Sequence, residues 1–249
     1  MNFDGGRKGV KVRLIVTVLF VLTGLAVWYY RHQRPVALPP KPRTIEEVMA
    51  ALGAPVERRL RPAFKRAGVA FPPRDLTLLA LKEEKRLELY TSGGNGNHHF
   101  ILSYPILAAS GTAGPKLREG DKQVPEGFYR IELLNPNSRY HLSLRVDYPN
   151  AADIERARFD GRDLSVLGGD IMIHGGAESI GCLAIGDPAI EELFLIVART
   201  GLDNVRLIIA PRDPRQKRMH ATPEHGPLWT AELHDQLRRQ IARLPRAQR

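Results

Sequence analysis

The stretch that most constrains the fold runs from Ile171 to Gly186 and reads Ile-Met-Ile-His-Gly-Gly-Ala-Glu-Ser-Ile-Gly-Cys-Leu-Ala-Ile-Gly. A β-branched apolar run ends at His174, a Gly-Gly pair follows, and a second apolar run begins after Cys182. Glycines between two short apolar runs are typical of a strand, a tight loop and a second strand. The pattern therefore predicts that the imidazole and the thiol lie on adjoining segments of one strand-loop-strand element.

Cys182 is the only cysteine of the chain, and a thiol beside an imidazole is an arrangement used for nucleophilic catalysis. The thiolate is the form that attacks a carbonyl, and a histidine both takes the thiol proton and stabilises the resulting charge. We therefore expect His174 to lower the pKa of Cys182. The residues alone also allow a small buried cysteine beside a histidine whose hydrogen bonds are satisfied in the core.

Further motifs accompany this pair along the chain. They are Gly120-Asp121, Pro125-Glu126-Gly127-Phe128-Tyr129, Ile173-His174-Gly175 and Ser179-Ile180-Gly181-Cys182. In this order they resemble the L,D-transpeptidase catalytic domain family of the YkuD type, and most of all its YafK-like branch. The resemblance covers the chain from Leu76 to Ala210.

The resemblance implies Cys182 as nucleophile, His174 as general base and the Gly175 backbone carbonyl as the group that orients the imidazole. It implies that the N–H groups of Gly181 and Cys182 hold the oxyanion. The residues that would contact the substrate are Tyr140, Ser179 and Gly127. The substrate that it implies is a peptidoglycan stem peptide, attacked at the meso-diaminopimelate carbonyl next to D-alanine, with neither metal nor cofactor.

Two positions depart from the usual family pattern Ser-His-Gly-Cys-x-Arg. Ile180 and Ala184 stand where a second histidine and an arginine are expected, and the loop before Ser179 is short. Arg139 and Arg145 are the candidates to replace that cation. The YafK-like branch is associated with releasing a lipoprotein from peptidoglycan, so that the thioester would be hydrolysed. We expect acyl transfer first, hydrolysis second, and a non-catalytic cell-wall-binding module as the alternative from another class.

The N-terminal region predicts export. The segment at 14–30 is 17 residues long, carries no charge and ends in Trp-Tyr-Tyr, as expected of a membrane anchor with an aromatic belt. The basic residues at 1–13 favour a cytoplasmic N-terminus, which would place the catalytic domain in the periplasm, anchored in the inner membrane. Gly24-Leu25-Ala26 also allows a cleaved signal peptide. Exported proteins normally pair their cysteines, so lone Cys182 is predicted to be a free thiol.

Other function classes find little support. The net charge of +10 is not accompanied by a nucleic-acid-binding motif, and there is no dinucleotide, Walker or HExxH pattern. His98 and His99 lack acidic or cysteine partners at metal-ligand spacing, and a zinc amidase built on His174 and Glu178 lacks further ligands. We expect no nucleic-acid partner. The expected partners are stem peptides, the inner membrane and a wall-attached lipoprotein.

The pattern of the remaining chain predicts a mainly β domain with flanking helices, and the resemblance implies an L,D-transpeptidase-like sandwich or open barrel. A Pro-rich linker at 31–43 leads to a helical extension at 44–75, where Thr44-Ile-Glu-Glu47 opens a helix that stops near Gly53 and a basic second helix covers 56–66. Strands dominate the catalytic domain at 76–211, and Asp187-Pro188 caps a helix that Gly201 ends. The basic extension at 212–249 carries an amphipathic surface helix at 230–243.

Overall fold

The computed structural model describes residues 22–29, 41–92, 96–111, 114–216 and 226–247. The chain divides into two compact units, Met1–Lys41 and Pro42–Arg249. In the first unit residues 22–29 are helical and exposed, whereas the segment at 1–13, the other residues of the expected anchor and nearly all of the linker lie outside the described residues. Among the described helices, none is both long and apolar enough to cross a membrane.

The described part of the second unit contains a mixed eight-stranded sheet with flanking helices. The helices are α1 (Ile45–Ala67), α2 (Ala151–Phe159), α3 (Asp187–Thr200) and α4 (Thr230–Ile241). The strands are β1 (Leu76–Leu81), β2 (Arg86–Ser92), β3 (His98–Pro105), β4 (Gly127–Ser138), β5 (His141–Val146), β6 (Met172–His174), β7 (Leu183–Ala184) and β8 (Val205–Ala210).

The strand order is β3-β2-β1-β8-β4-β5-β6-β7, in which β1 with β8 and β6 with β7 are the parallel pairs. The long strand β4 joins the two halves, because its first four residues pair with β8 and the rest pair with β5 through register shifts. Ala108, just after β3, forms an isolated bridge with Ala184 of β7. The chain thus connects the two ends of the strand order beside the predicted nucleophile.

The sheet buries apolar side chains on both faces. The larger core lies on the face that α1 and α3 cover, and it includes Phe64, Leu193 and Tyr129. The second core lies under α4, whose predicted apolar positions all contact the opposite face of β1 and β8. Its members include Leu79, Leu81, Ile208, Leu233, Leu237 and Ile241. The amphipathic helix predicted at 230–243 is therefore confirmed, and its apolar side covers the sheet.

The predicted break of the helical extension near Gly53 is wrong. The capping box at Thr44 and Glu47 is present, but α1 continues as one helix through Pro55 and Pro62 to Ala67. Each internal proline costs about 3 kcal/mol, whereas each large apolar side chain buried on the inner face contributes about 1.5–3 kcal/mol. These side chains are Val48, Val56, Leu60 and Phe64. Packing against α3 therefore offsets the local preference for a break.

The basic side of α1 is partly used inside the protein. Arg59 bonds Glu191 and Glu192 near the start of α3, with N–O distances of 2.9 and 2.8 Å. The other oxygen of Glu191 lies 3.0 Å from Nε2 of His141, the first residue of β5. The extension at 44–75 therefore braces the elements that carry the candidate site.

The prediction of a sheet with flanking helices is confirmed. Among the described residues of the domain predicted at 76–211, strands contain more residues than helices, as expected, and α2 forms in the polar stretch after Asn150. The predicted strands of the 76–90 hairpin and the one before Pro105 are present, with ends within two residues of the prediction.

Candidate active site

His174 is the last residue of β6, and its side chain is buried. Its Nδ1 lies 2.6 Å from the carbonyl oxygen of Gly175. Because a carbonyl oxygen only accepts hydrogen bonds, Nδ1 carries the proton and Nε2 keeps its lone pair. The imidazole is therefore held in the tautomer that a general base requires.

Gly175 occupies a place that has no room for a side chain. A Cβ there would lie 2.5 Å from the backbone oxygen of Tyr140 and 2.5 Å from Oδ1 of Asp187. The same Oδ1 accepts a 2.8 Å hydrogen bond from the N–H of Gly176. The prediction that Asp187 caps α3 is thus wrong: the N-cap residue is Gly186, and the carboxylate holds the loop after β6.

Tyr140 lies in the turn between β4 and β5, and its ring stacks on the imidazole of His174 with 4.5 Å between ring centroids and 28° between the planes. Tyr140 is 41% exposed to solvent. Of the three predicted substrate contacts, Tyr140 is thus the one that touches the histidine and also faces solvent.

Cys182 directly precedes β7, which runs parallel to β6 with His174 opposite Ala184. The thiol sulfur accepts a 3.3 Å hydrogen bond from the N–H of Met172 and is 3.6 Å from the carbonyl oxygen of Asp170, to which it donates. The predicted strand-loop-strand element is therefore confirmed. It places the sulfur against β6, two residues before the histidine.

The expectation that His174 lowers the pKa of Cys182 is wrong in this conformation. Burial raises the pKa of the thiol, and the nearby charge of Asp170 raises it further. The hydrogen bond from the Met172 N–H and the charge of Lys116 lower this pKa, but the net shift is upward. Burial also lowers the pKa of His174, opposed by the carbonyl of Gly175. Both shifts favour the neutral forms, so the resting pair at neutral pH is a thiol and an uncharged imidazole.

The turn that carries the cysteine is closed by two serine hydroxyls. Ser179 Oγ accepts from the N–H of Cys182 at 3.0 Å and donates to the carbonyl of Cys182 at 2.6 Å. The N–H of Gly181 donates to Ser110 Oγ at 2.5 Å. Both N–H groups expected to hold the oxyanion therefore have hydroxyl acceptors, and Ser179 organises the turn.

The segment that bonds the Cys182 turn through Ser110 was not predicted as part of the site. The hydroxyl of Ser110 donates a 2.8 Å hydrogen bond to the backbone oxygen of Lys122. Asp121, singled out with Gly120 by the resemblance, accepts from three backbone N–H groups of the same loop, those of Leu117, Arg118 and Gln123. Asp121 therefore fixes the loop that places Ser110.

Lys116 is a second residue that sequence reasoning missed. Its Nζ is buried and lies 2.8 Å from Oδ1 of Asp121. Its charge acts on Cys182, since it lowers the pKa of the thiol. The sequence signal was weak, because a lone lysine in a glycine-rich loop normally lies in solvent.

Gly127 begins β4, is buried and pairs with Ile209 of β8. A Cβ at this position would lie 3.2 Å from the hydroxyl of Tyr129. The neighbouring Glu126 is also buried, where it bonds Lys82 and His234. Gly127 thus contacts β8 and Tyr129.

The two positions that depart from the family pattern have different surroundings. Ile180 is 78% exposed, whereas Ala184 is fully buried in β7 and supplies no cation. Arg145 lies opposite Met172 in the sheet, and its guanidinium is 3.4 Å from the carboxylate of Asp170. Of the two proposed replacements, Arg145 is therefore tied to the segment that contacts the sulfur, while Arg139 is exposed next to Tyr140.

His98 and His99 begin β3, as expected of a polar strand start. Within the described residues, no cluster of three or more histidine, cysteine, aspartate or glutamate side chains has the arrangement of a metal site. Glu178 is exposed in the loop between β6 and β7.

The raised thiol pKa makes a prediction for alkylation. We expect Cys182 of the folded chain to react with iodoacetamide more slowly at neutral pH than the same cysteine in urea, and its rate to rise at higher pH than in urea, because only the thiolate reacts. With one cysteine in the chain, incorporated label measured by mass spectrometry reports this site alone. A folded-state profile shifted to lower pH would contradict the prediction.

The comparisons with known proteins concern the family of the chain. The sequence profile of the L,D-transpeptidase catalytic domain family (YkuD) matches residues 77–209. An Escherichia coli protein named "Putative L,D-transpeptidase YafK" is 38% identical over 135 residues, which is 52% of this chain and 51% of that protein. The chain thus spans about half the length of the curated relatives that it matches.

Two solved structures match part of the chain. The helical cell shape determining protein Pgp2 of Campylobacter jejuni is 23% identical, with a TM-score of 0.46 and coverage of 59% of this chain and 50% of that one. L,D-transpeptidase 1 of Mycobacterium tuberculosis is 12% identical, with a TM-score of 0.31 and coverage of 54% and 61%.

Proposed function

Because the chain belongs to the L,D-transpeptidase catalytic domain family, we propose that it carries out acyl transfer on the stem peptides of peptidoglycan, with Cys182 as nucleophile and His174 as general base. The observation that supports this proposal most is the pairing of β6 with β7. It sets a thiol against the strand that ends in an imidazole whose Nδ1 proton is fixed by Gly175.

In the proposed first step, the sulfur attacks the meso-diaminopimelate carbonyl next to D-alanine. The thiol proton passes to Nε2 of His174, and the carbonyl oxygen takes the electron pair. Collapse of this intermediate breaks the C–N bond, and the imidazolium gives its proton to the departing amine of D-alanine. The product is a thioester on Cys182, and the imidazole is again neutral.

In the second step, an acceptor attacks the thioester while His174 takes its proton, and the thiol is restored. An amine acceptor gives a new amide, and water gives a free carboxylate. The proposed oxyanion donors are the N–H groups of Gly181 and Cys182. During the attack they would give up their hydrogen bonds to the hydroxyls of Ser110 and Ser179 and donate to the oxyanion instead. Rotation of each serine side chain about its Cα–Cβ bond moves the acceptor oxygen away, which makes this exchange a local event.

Neutral resting groups make proton transfer part of the attack. A preformed thiolate would need a thiol pKa below its ordinary value, but burial shifts it the other way. The lowered pKa of His174 keeps Nε2 unprotonated at neutral pH. The base is therefore available wherever the pH exceeds the pKa of the imidazole, and acid inactivates by protonating it.

Hydrolysis is the second candidate function, and Ala184 is the observation that favours it. An arginine at this position would hold a carboxylate through charge-assisted hydrogen bonds, and the buried alanine removes that contact. The name of the Escherichia coli relative refers to transpeptidation and not to hydrolysis. A lipoprotein joined to peptidoglycan is the partner that the hydrolytic version would release.

The choice between the two functions is tested with muropeptides and an excess of an amine acceptor. We expect mass spectrometry to find the exchanged or cross-linked product as the major one, because an amine attacks a thioester faster than water when the site binds it. An Arg145→Gln variant, compared with Arg158→Gln on the exposed side of α2, tests whether Arg145 aids substrate binding. Free carboxylate as the sole product would replace transfer by hydrolysis.

We also propose that residues 14–30 anchor the chain in the inner membrane with the catalytic domain in the periplasm. The support is the uncharged sequence between basic flanks, together with exposed apolar side chains on the described helical residues 22–29. Reporter enzymes fused after residue 43 are expected to be active in the periplasm. Activity confined to the cytoplasm would refute export.

A further inference from the structure

A groove of about 620 Å³ lies on the sheet face that α4 covers, at the C-terminal end of that helix. Thr77, Arg206 and Phe128 come from three adjacent strands, and Arg243 follows the helix. The sheet surface is thus apolar under α4 and basic in the groove beyond the end of that helix. Cys182 and His174 are not among the residues that line it.

The floor holds two arginines in a position that opposes folding. Arg130 of β4 and Arg206 of β8 are direct partners in the antiparallel register, so their side chains leave the same face of the sheet next to each other. Like charges directly opposite on neighbouring strands destabilise a sheet. Arg243 adds a third guanidinium at the wall of the groove.

Within the described residues, no carboxylate pairs with any of these three guanidinium groups. The one acidic side chain that lines the groove is Asp147, and its Oδ1 accepts the backbone N–H of Arg130 at 2.8 Å. Asp75, in a smaller cavity beside Arg206, has both oxygens bonded to Ser92. Three cations therefore face one carboxylate, and the groove is suited to an anion.

We infer that this groove is a second binding site, distinct from the Cys182 cleft, for the carboxylates of a peptidoglycan stem peptide. The inference rests on the proposed function for the choice of ligand. Arginine forks bind carboxylates in a bidentate manner, and neighbouring forks on two strands suit a chain with carboxylates at successive residues. Phe128, 38% exposed beside them, offers apolar contact to the alkyl part of such a peptide. The volume is that of a site for a few residues.

The test uses the full chain in non-ionic detergent with Cys182→Ala, so that no turnover occurs. The probe is the free stem tripeptide L-alanyl-γ-D-glutamyl-meso-diaminopimelate, titrated by calorimetry. Adding Arg130→Gln and Arg206→Gln is expected to weaken binding at least about tenfold, because two charge-assisted contacts are lost. The matched control adds Arg58→Gln and Arg158→Gln, which remove the same charge from exposed helix positions and are expected to leave binding unchanged.

A second readout locates the ligand. The tripeptide is expected to protect Arg130 and Arg206, but not Arg158, from phenylglyoxal, as mapped by mass spectrometry. The same peptide with its carboxyl groups amidated is expected not to protect them. Equal protection by the amidated peptide, or by inorganic phosphate at the same concentration, would overturn a carboxylate site.

The like-charge pair supplies a third readout. Arg206→Gln is expected to raise the melting temperature while it weakens binding, since it relieves repulsion across β4 and β8. A lower melting temperature would assign the arginine a structural role and overturn the inference. Tripeptide binding that depends on Tyr140 but not on Arg130 or Arg206 would also overturn it, yet leave the proposed function intact. Turnover by Cys182→Ala would instead refute the proposed function.

Discussion

Cys182→Ala is expected to abolish both the exchanged and the hydrolysed products from purified muropeptides. The thioester cannot form without the sulfur, and loss of a nucleophile of this kind costs about 10⁴-fold or more in rate. The measurement is product formation by the full chain, followed by mass spectrometry. Both versions of the proposed chemistry require this result.

The matched control for this variant is Ile180→Ala. Ile180 lies two residues before Cys182 and is 78% exposed, so its truncation leaves the turn and the sulfur in place. Its products are expected to remain within a few-fold of the parent. Product formation by Cys182→Ala at the parent rate would support a non-catalytic wall-binding module with contaminating activity elsewhere, and would reject the cysteine mechanism.

Gly175→Ala is expected to lower activity by about 100-fold and to destabilise the folded chain by about 1–3 kcal/mol. The added Cβ would lie 2.5 Å from the backbone oxygen of Tyr140, which cannot rotate away as a side chain does. Relief of this contact moves the Gly175 carbonyl and so frees the imidazole that it orients. Rates from the muropeptide assay and urea unfolding curves measure the two effects.

Gly169→Ala is the control for the glycine substitution. Gly169 is exposed, and a Cβ there would meet only the backbone oxygen of Tyr148 at 3.8 Å, an ordinary contact. Both activity and stability of this variant are expected to stay near those of the parent. If Gly175→Ala behaves like Gly169→Ala, the close packing around the histidine is not needed for catalysis.

The sequence predicted the parts of the site that depend on local pattern. Two short apolar runs around glycines led to β6, its loop and β7, and hence to the proximity of Cys182 and strand-ending His174. The periodic apolar positions of α3 and α4 were equally direct. Each of these features is written in fewer than about 15 consecutive residues, the range over which periodicity is informative.

What the sequence did not predict depends on contacts between distant segments. Ser110 meets Gly181 across 71 positions, and nothing in a loop of small residues marks it as a partner. The direction of the Cys182 pKa shift depends on burial, which the local sequence pattern does not determine. The continuity of α1 likewise depends on α3, more than 100 positions further on, and not on Gly53 or its prolines.

The core beneath α4 extends beyond the region that matches the family, so the matched region is shorter than the part of the chain that packs together. The matched region, residues 77–209, includes Leu79, Leu81 and Ile208 but not the helix that covers them. Cutting the gene at the profile limits would leave these side chains in water beside the unpaired face of a sheet, a surface prone to self-association. A relative without this helix has to cover the same strands by another segment or by a partner. Residues outside the shared profile therefore carry part of the solubility of this chain, and an expression boundary for its second unit belongs after Leu244, where that second core ends.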